Sequence, residues 1–468
     1  MDFWRNGNYA VAERLTDFRS EKTVWHASDL LGSAFLLEDR DAASEGARFI
    51  LEHPEEVPSL VMALAQYVLS GSTEGSPFLR KVEVEWKEQL RLSRRLASAH
   101  PNNAVPWLDL ALSHTVLGNR TAADRAVRTA LSLAPNSRFI LRSATRFFIH
   151  QEDLERAHNL LIKNQATLGD PWLLSAEIAV ASARSRSSRL VPAGRRLAEN
   201  NAFRHYDRSE LAMALASIEH DAGGSRKRIK KFLRQSLIDP TENVVAQADW
   251  LTTRDNNLDR VRASSLDVPG AYEASARERF EAGDWPTALS NALDWLQDQP
   301  FSARPAIFVT FLASTALDDM EGAIKYGERG VIPNPHEATL LNNLAFCHAS
   351  AGRTEEARRY LRQVNKDRLR IDEQIVLEAT WGLVAFREGR FEEGRSLYAK
   401  AIDIASRDKE NRQFVEMSIL YRAREEILAG TSEMLNSVKL VDDIARRTSS
   451  KIAKLVADRI LTSRLPSP

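Results

Sequence analysis

The chain has 468 residues, 27% of them charged, with Lys+Arg and Asp+Glu balanced at 64 each and one cysteine, Cys347. Balanced charge supplies no global field for nucleic acid or an anionic membrane, and one cysteine excludes an internal disulfide and argues for a reducing, cytoplasmic setting. The longest apolar-rich runs, 60–69 and 307–317, fall far short of the ~20 residues that cross a bilayer, and residues 1–15 lack the layout of a signal peptide.

In chain order, NGNYAVAERL at 6–15 reads as a turn and second helix, with Gly7 at the turn and Phe3 and Trp4 as a candidate cap. A hairpin comes next over 25–50, with Leu30, Leu31, Ala34, Ala43 and Ala47 on its inner faces and Pro54 and Pro58 at its end. A helix over 60–69 leads into the Gly/Ser-rich loop 71–77, a candidate mobile excursion, and then a helix over 78–99 whose basic and acidic residues alternate as on a solvated face. Hairpins over 103–135 and 139–164 succeed it. The pattern blurs over 171–201, where Arg184, Arg186, Arg189, Arg195 and Arg196 crowd a degenerate repeat or a joint, and the hinge of the molecule is placed there. A degenerate hairpin over 211–240 carries the basic run Arg226, Lys227, Arg228, Lys230, Lys231 and Arg234. From 268 the hairpins are regular, with Gly283, Gly352 and Gly389 at the turns and Asp318 in the corresponding place of the second. Two longer capping helices are predicted over 410–428 and 434–461, before a frayed end.

The offsets make this pattern specific. Trp107 is followed by Leu110, Ala111, His114, Gly118, Ala123, Val127, Ala130 and Pro135; Leu341 by Leu344, Ala345, His348, Gly352, Ala357, Leu361 and Val364; Tyr272 by Ala276, Gly283, Ala288, Ala292 and Pro300. This order of large, small and turn residues resembles the tetratricopeptide repeat (TPR) family over most of the chain, as a divergent, bacterial-type member. The resemblance implies an all-α fold, a right-handed superhelical solenoid of TPR-like helix-turn-helix repeats. It would comprise an N-terminal array (1–170), divergent Arg-rich repeats (171–265), a regular array (266–405) and capping helices (406–468).

The resemblance also implies a function, that of a non-enzymatic scaffold or adaptor holding a protein partner in the groove lined by successive first helices. By offset, the groove of the regular array takes Glu273, Arg277 and Phe280, then Phe308 and Leu312, then Asn342 and Phe346, then Leu383, Phe386 and Arg387. An aromatic in every repeat fits either a hydrophobic peptide or helix in the groove or intramolecular filling of it; both readings stand at this point. A second function is the sensor or regulatory subunit of a bacterial effector complex. The third, nucleic-acid binding through residues 184–234, is least favoured, because no aromatic side chains that could stack on bases lie in the basic cluster. Catalysis, metals and cofactors find no motif: HExxH, the phosphate-binding P-loop, GxSxG and GxGxxG are all missing from the sequence. Cys347 next to His348 reads as packing, and Glu355–Glu356 and Glu392–Glu393 as acids placed at second-helix starts.

Overall fold

The computed structural model describes residues 7–36, 39–54, 57, 59–70, 86–408 and 411–462. The candidate cap at Phe3 and Trp4, Pro58, the loop 71–77, the start of the helix expected from 78, and residues 463–468 lie outside them. The described residues form helices with no strand among them, and no helix there is long and apolar enough to cross a membrane. The chain divides into two compact units, 1–85 and 86–468.

The first unit holds α1 (Gly7–Ser20), α2 (Val24–Leu36), α3 (Arg40–Glu52) and α4 (Ser59–Ser70), each packed on the next. Helix α1 starts at Gly7 itself, so this glycine opens a helix instead of making the expected turn. Phe18, Leu30, Leu31 and Ile50 are buried in the core, and small residues let α3 close on α2: a Cβ on Gly46 would lie 2.9 Å from the Ala27 carbonyl oxygen.

In the second unit α5 (Trp86–Ala99) packs on α6 (Ala104–Val116), which pairs with α7 (Arg120–Leu133). Further hairpins are α8 (Arg138–His150) with α9 (Leu154–Ile162), α10 (Pro171–Ala183) with the short α11 (Val191–Ala198), and α12 (His205–Asp221) with α13 (Arg226–Ser236). Helix α14 (Glu242–Arg254) has no second helix; an irregular stretch packs Leu258, Val261 and Ala263 in its place. Then come α15 (Tyr272–Ala282) with α16 (Trp285–Asp298), and α17 (Ala303–Phe311), continued by a π-helical turn Leu312–Ala316, with α18 (Met320–Val331). The chain continues with α19 (Ala338–Ser350) and α20 (Thr354–Gln363), α21 (Ile371–Arg387) and α22 (Phe391–Ser406), α23 (Arg412–Leu428), α24 (Met434–Arg447) and α25 (Lys451–Thr462). The single helix expected over 434–461 is therefore two, separated at 448–450, where the Thr448 hydroxyl donates to Glu416 at 2.6 Å instead of the backbone continuing the helix.

Local chemistry sets these boundaries. Asp153, Asp170, Asp284 and Asp319 cap the starts of α9, α10, α16 and α18 with side-chain acceptors, satisfying amides that no helix carbonyl reaches. Between paired helices one residue turns into the left-handed region: Gly118, Gly223, Gly283, Gly352 and Gly389, but also Glu152, Ser185 and Asp318. The side-chain-bearing residues accept a backbone cost of about 1–2 kcal/mol each that tertiary packing offsets. The fully buried alanines Ala123, Ala276, Ala288, Ala345 and Ala357 let helices approach closely. In α21 and α22 glycines do the same, since a Cβ on Gly394 would lie 2.5 Å from Phe386 and one on Gly382 2.8 Å from Tyr398.

Two contacts join distant parts of this unit. A Cβ on Gly118 would lie 3.0 Å from the Ile332 carbonyl oxygen, and the rings of His150 and Phe301 meet edge to face at 5.2 Å. The turns of the hairpins beginning with α6 and α8 thus touch the links on either side of the α17–α18 hairpin.

Candidate functional site

The ten positions assigned to the groove lie on the first helices α15, α17, α19 and α21 and on the π-helical turn, and the chain itself covers much of that surface. Glu273 accepts from Arg304 and, at 3.3 Å, from Arg277. Phe280 sits among Trp285, Phe308 and Phe311, with centroid distances of 5.2, 5.8 and 5.8 Å. Leu312, Asn342, Leu383 and Phe386 are buried. Phe346 meets Tyr421 of α23 edge to face at 5.0 Å, and the Arg424 guanidinium lies 5.7 Å from the Phe346 centroid. Arg387 is held by Glu425 of α23 at 2.6 Å. Of the two readings of the aromatic strip, intramolecular filling describes this conformation.

Charge holds the filling in place. Glu425 is 2% exposed at its side chain and bridges Arg387 to Arg424, while Glu426, fully buried, takes a two-pronged bond from Arg395 at 2.7 and 2.8 Å. Beside it lies a cavity of about 600 Å³ lined by residues 389–393, Arg395 and residues 429–432, and flanked by paired arginines and glutamates. There the guanidiniums of Arg358 and Arg390 hold the Glu388 carboxyl down to about 2.

Nothing in these pairs makes a reactive centre. Burial pushes the Cys347 thiol up to about 12 and holds the His348 imidazole below its ordinary value, so a thiolate–imidazolium pair is disfavoured twice. Among the described residues no group of three His, Cys, Asp or Glu side chains could hold a metal ion. The basic run forms α13, with Ile229, Phe232 and Leu233 turned inward and Arg226, Lys227, Arg228, Lys231 and Arg234 exposed, Lys230 half-buried. Arg228 pairs with Glu219 at 3.3 Å and Lys231 with Glu199, so part of its charge is neutralised in place.

A different row stands open. The second residue of α6, α8, α10 and α12 is Val105, Phe139, Trp172 and Tyr206, a recurrence every 33 or 34 residues. Val105, Phe139 and Tyr206 are 44%, 58% and 39% exposed, and Trp172 is covered by the Arg142 guanidinium at 4.5 Å and the Tyr206 ring at 5.4 Å. Burial pushes the Tyr206 phenol up, and the surrounding Glu242, Glu210 and Asp239 add to it. The row is absent from the groove positions expected from the sequence, although a large apolar residue one place inside each of these first helices is visible there.

The turns, the buried alanines and the pairing of successive helices are those of the repeat read from the sequence. The chain is a TPR-like helical-repeat protein. No protein-family model and no curated protein matches it. Among solved structures it is similar to the APC/C hetero-tetramer Cut9–Hcn1, at 11% identity over 98% of this chain and 93% of that one, TM-score 0.34. It is also similar to yeast Tom70 (13%, 95% and 96%, 0.30) and to the human IFIT1 dimer with PPP-AAAA (14%, 83% and 98%, 0.40).

Proposed function

We propose that this TPR-like chain is a non-enzymatic scaffold of the cytoplasm that holds a protein partner as an extended segment along the row Val105, Phe139, Trp172 and Tyr206. The observation that carries the reading is the exposure of Val105, Phe139 and Tyr206 at the second position of three first helices, with the buried Trp172 ring between Phe139 and Tyr206 in that row. Packed helices lie about 8–10 Å apart, and an extended peptide advances about 3.3 Å per residue, so one side chain in three would meet the row. Glu242 and Asp239 beside Tyr206 add a requirement for Lys or Arg at that end of the segment. The proposed ligand is thus a peptide with an apolar residue at every third position and a basic residue at one end.

Selection of the full chain against a displayed library of random dodecapeptides tests this. The expected consensus has that spacing and terminal charge, and Phe139→Glu abolishes its binding while the melting temperature stays put. Selected peptides that ignore Phe139→Glu, or a selection that yields no consensus, would overturn the reading.

A further inference from the structure

Helix α25 presents two faces, and they do different things. On one, Ala453, Val456, Ala457 and Ile460 are buried with Leu420 and Ala423 of α23 and Val441 of α24, completing a small three-helix core. On the other, Ile452 and Leu455 are half-buried on the cluster that contains Phe280, Phe308, Leu312 and Ala316, part of the surface assigned to the groove.

The hydrogen bonds of that second face go to backbone carbonyls. Lys451 Nζ donates to the Ala282 carbonyl at 2.9 Å, and Arg459 donates to the carbonyls of Thr315 and Ala316 at 3.0 and 2.6 Å, with the Asp318 carboxylate 3.6 Å away. Those two carbonyls exist as a pair because the π-helical turn ends there. Leu317 N–H bonds back to Leu312 and Asp319 N–H to Ala313, so no helical amide comes after them to take up Thr315 and Ala316. A guanidinium, with its planar fork of donors, fits two adjacent carbonyls and a nearby carboxylate. The receiving surface therefore offers apolar rings and bare carbonyl oxygens, which recognise a pattern and not a particular neighbour.

We propose that α25 is a resident, exchangeable ligand of this surface, and that the surface is the docking site of a partner helix with apolar residues at i and i+3 and an arginine at i+7. Ile452, Leu455 and Arg459 supply that pattern in cis. The non-helical link at 448–450 lets α25 swing out, opening the small core it shares with α23 and α24, while α23 keeps its own anchors in Glu425 and Glu426. The partner helix competes with α25, so the site is closed until such a helix is present. This site is separate from the row at Phe139, and the two proposals stand or fall independently.

Amide hydrogen exchange of the full chain reads the first half of the claim. The α25 amides should exchange through a local opening, faster than those of α21 and α23 and with little dependence on denaturant. Ile452→Ala with Arg459→Ala, which alters only the groove-facing side, should speed exchange in α25 by about tenfold or more without changing α21. A fluorescent synthetic peptide of residues 450–462 reads the second half. It should bind this double variant about tenfold or more tightly than the wild type, and the same peptide with Arg459→Glu should not bind. Exchange of α25 only in step with α21, or no peptide binding to the double variant, would overturn the proposal.

Discussion

The second unit uses one kind of hairpin to make two different surfaces. Along α6 to α12 the side chains of Val105, Phe139 and Tyr206 are open, whereas along α15 to α19 the strip at Phe280, Phe308 and Phe346 is covered by α23 and α25. Repeat geometry alone does not decide whether a groove is available. The helices C-terminal to the array decide it: α23 and α25 carry the aromatic, acidic and basic residues that match the hairpins at α15–α22. The apolar content of a TPR-like groove is therefore no measure of its capacity for a partner.

The same substitution should have opposite consequences in the two regions. Phe386→Glu places an unpaired charge among Tyr398, Phe391 and Gly394, and a loss of about 4 kcal/mol in denaturant unfolding is expected. Next in size, Glu425→Ala leaves Arg387 and Arg424 without their shared carboxylate; unfolding should show a loss of about 3 kcal/mol, with α23 becoming exchange-labile.

Two ionisable groups sharpen the comparison through pH. Burial raises the Asp249 carboxyl to about 6, above its unfolded value, so the folded chain binds more protons and stability is lost as pH rises from about 4 through about 6. Asp249→Asn should remove that slope and stabilise the chain at pH 7 by on the order of 2 kcal/mol in thermal unfolding. His150, which joins the open region to the filled one through Phe301, runs the other way. Burial and Arg120 depress it from 6.5 to about 4, so its contribution is present above 6.5 and lost as pH falls towards 4. Hydrogen exchange around residue 301 should rise over that window, and His150→Phe should abolish the rise. The smallest stability effect belongs to Phe139→Glu, within about 0.5 kcal/mol of wild type, since its ring is exposed. A large melting shift there would close the gap between the two regions.

The turn residues show how far the sequence is legible. Gly283, Gly352 and Gly389 announce their turns because glycine alone adopts a left-handed backbone without cost, and Asp318 is legible from register. Glu152 and Ser185 adopt the same backbone without such a signal, because packing of α8 on α9 and α10 on α11 supplies what the residue does not. The break at 448–450 escapes sequence reading for a related reason. Polar residues there are compatible with an exposed helix; the Thr448–Glu416 bond, together with the Ser450 hydroxyl that caps the Ala453 amide, selects the break.

The sequence by itself determined the hairpins of the regular repeats and the small residues that bring their helices together, since these depend on periodicity and on offsets within about one repeat. Only the tertiary structure decided that Phe346 meets Tyr421, that Arg387 meets Glu425 and that Arg459 meets the carbonyls of Thr315 and Ala316. Local periodicity states that a face is apolar but not which distant segment covers it, and contacts 38 to 144 residues apart are set by how the whole array brings its later helices back onto earlier ones.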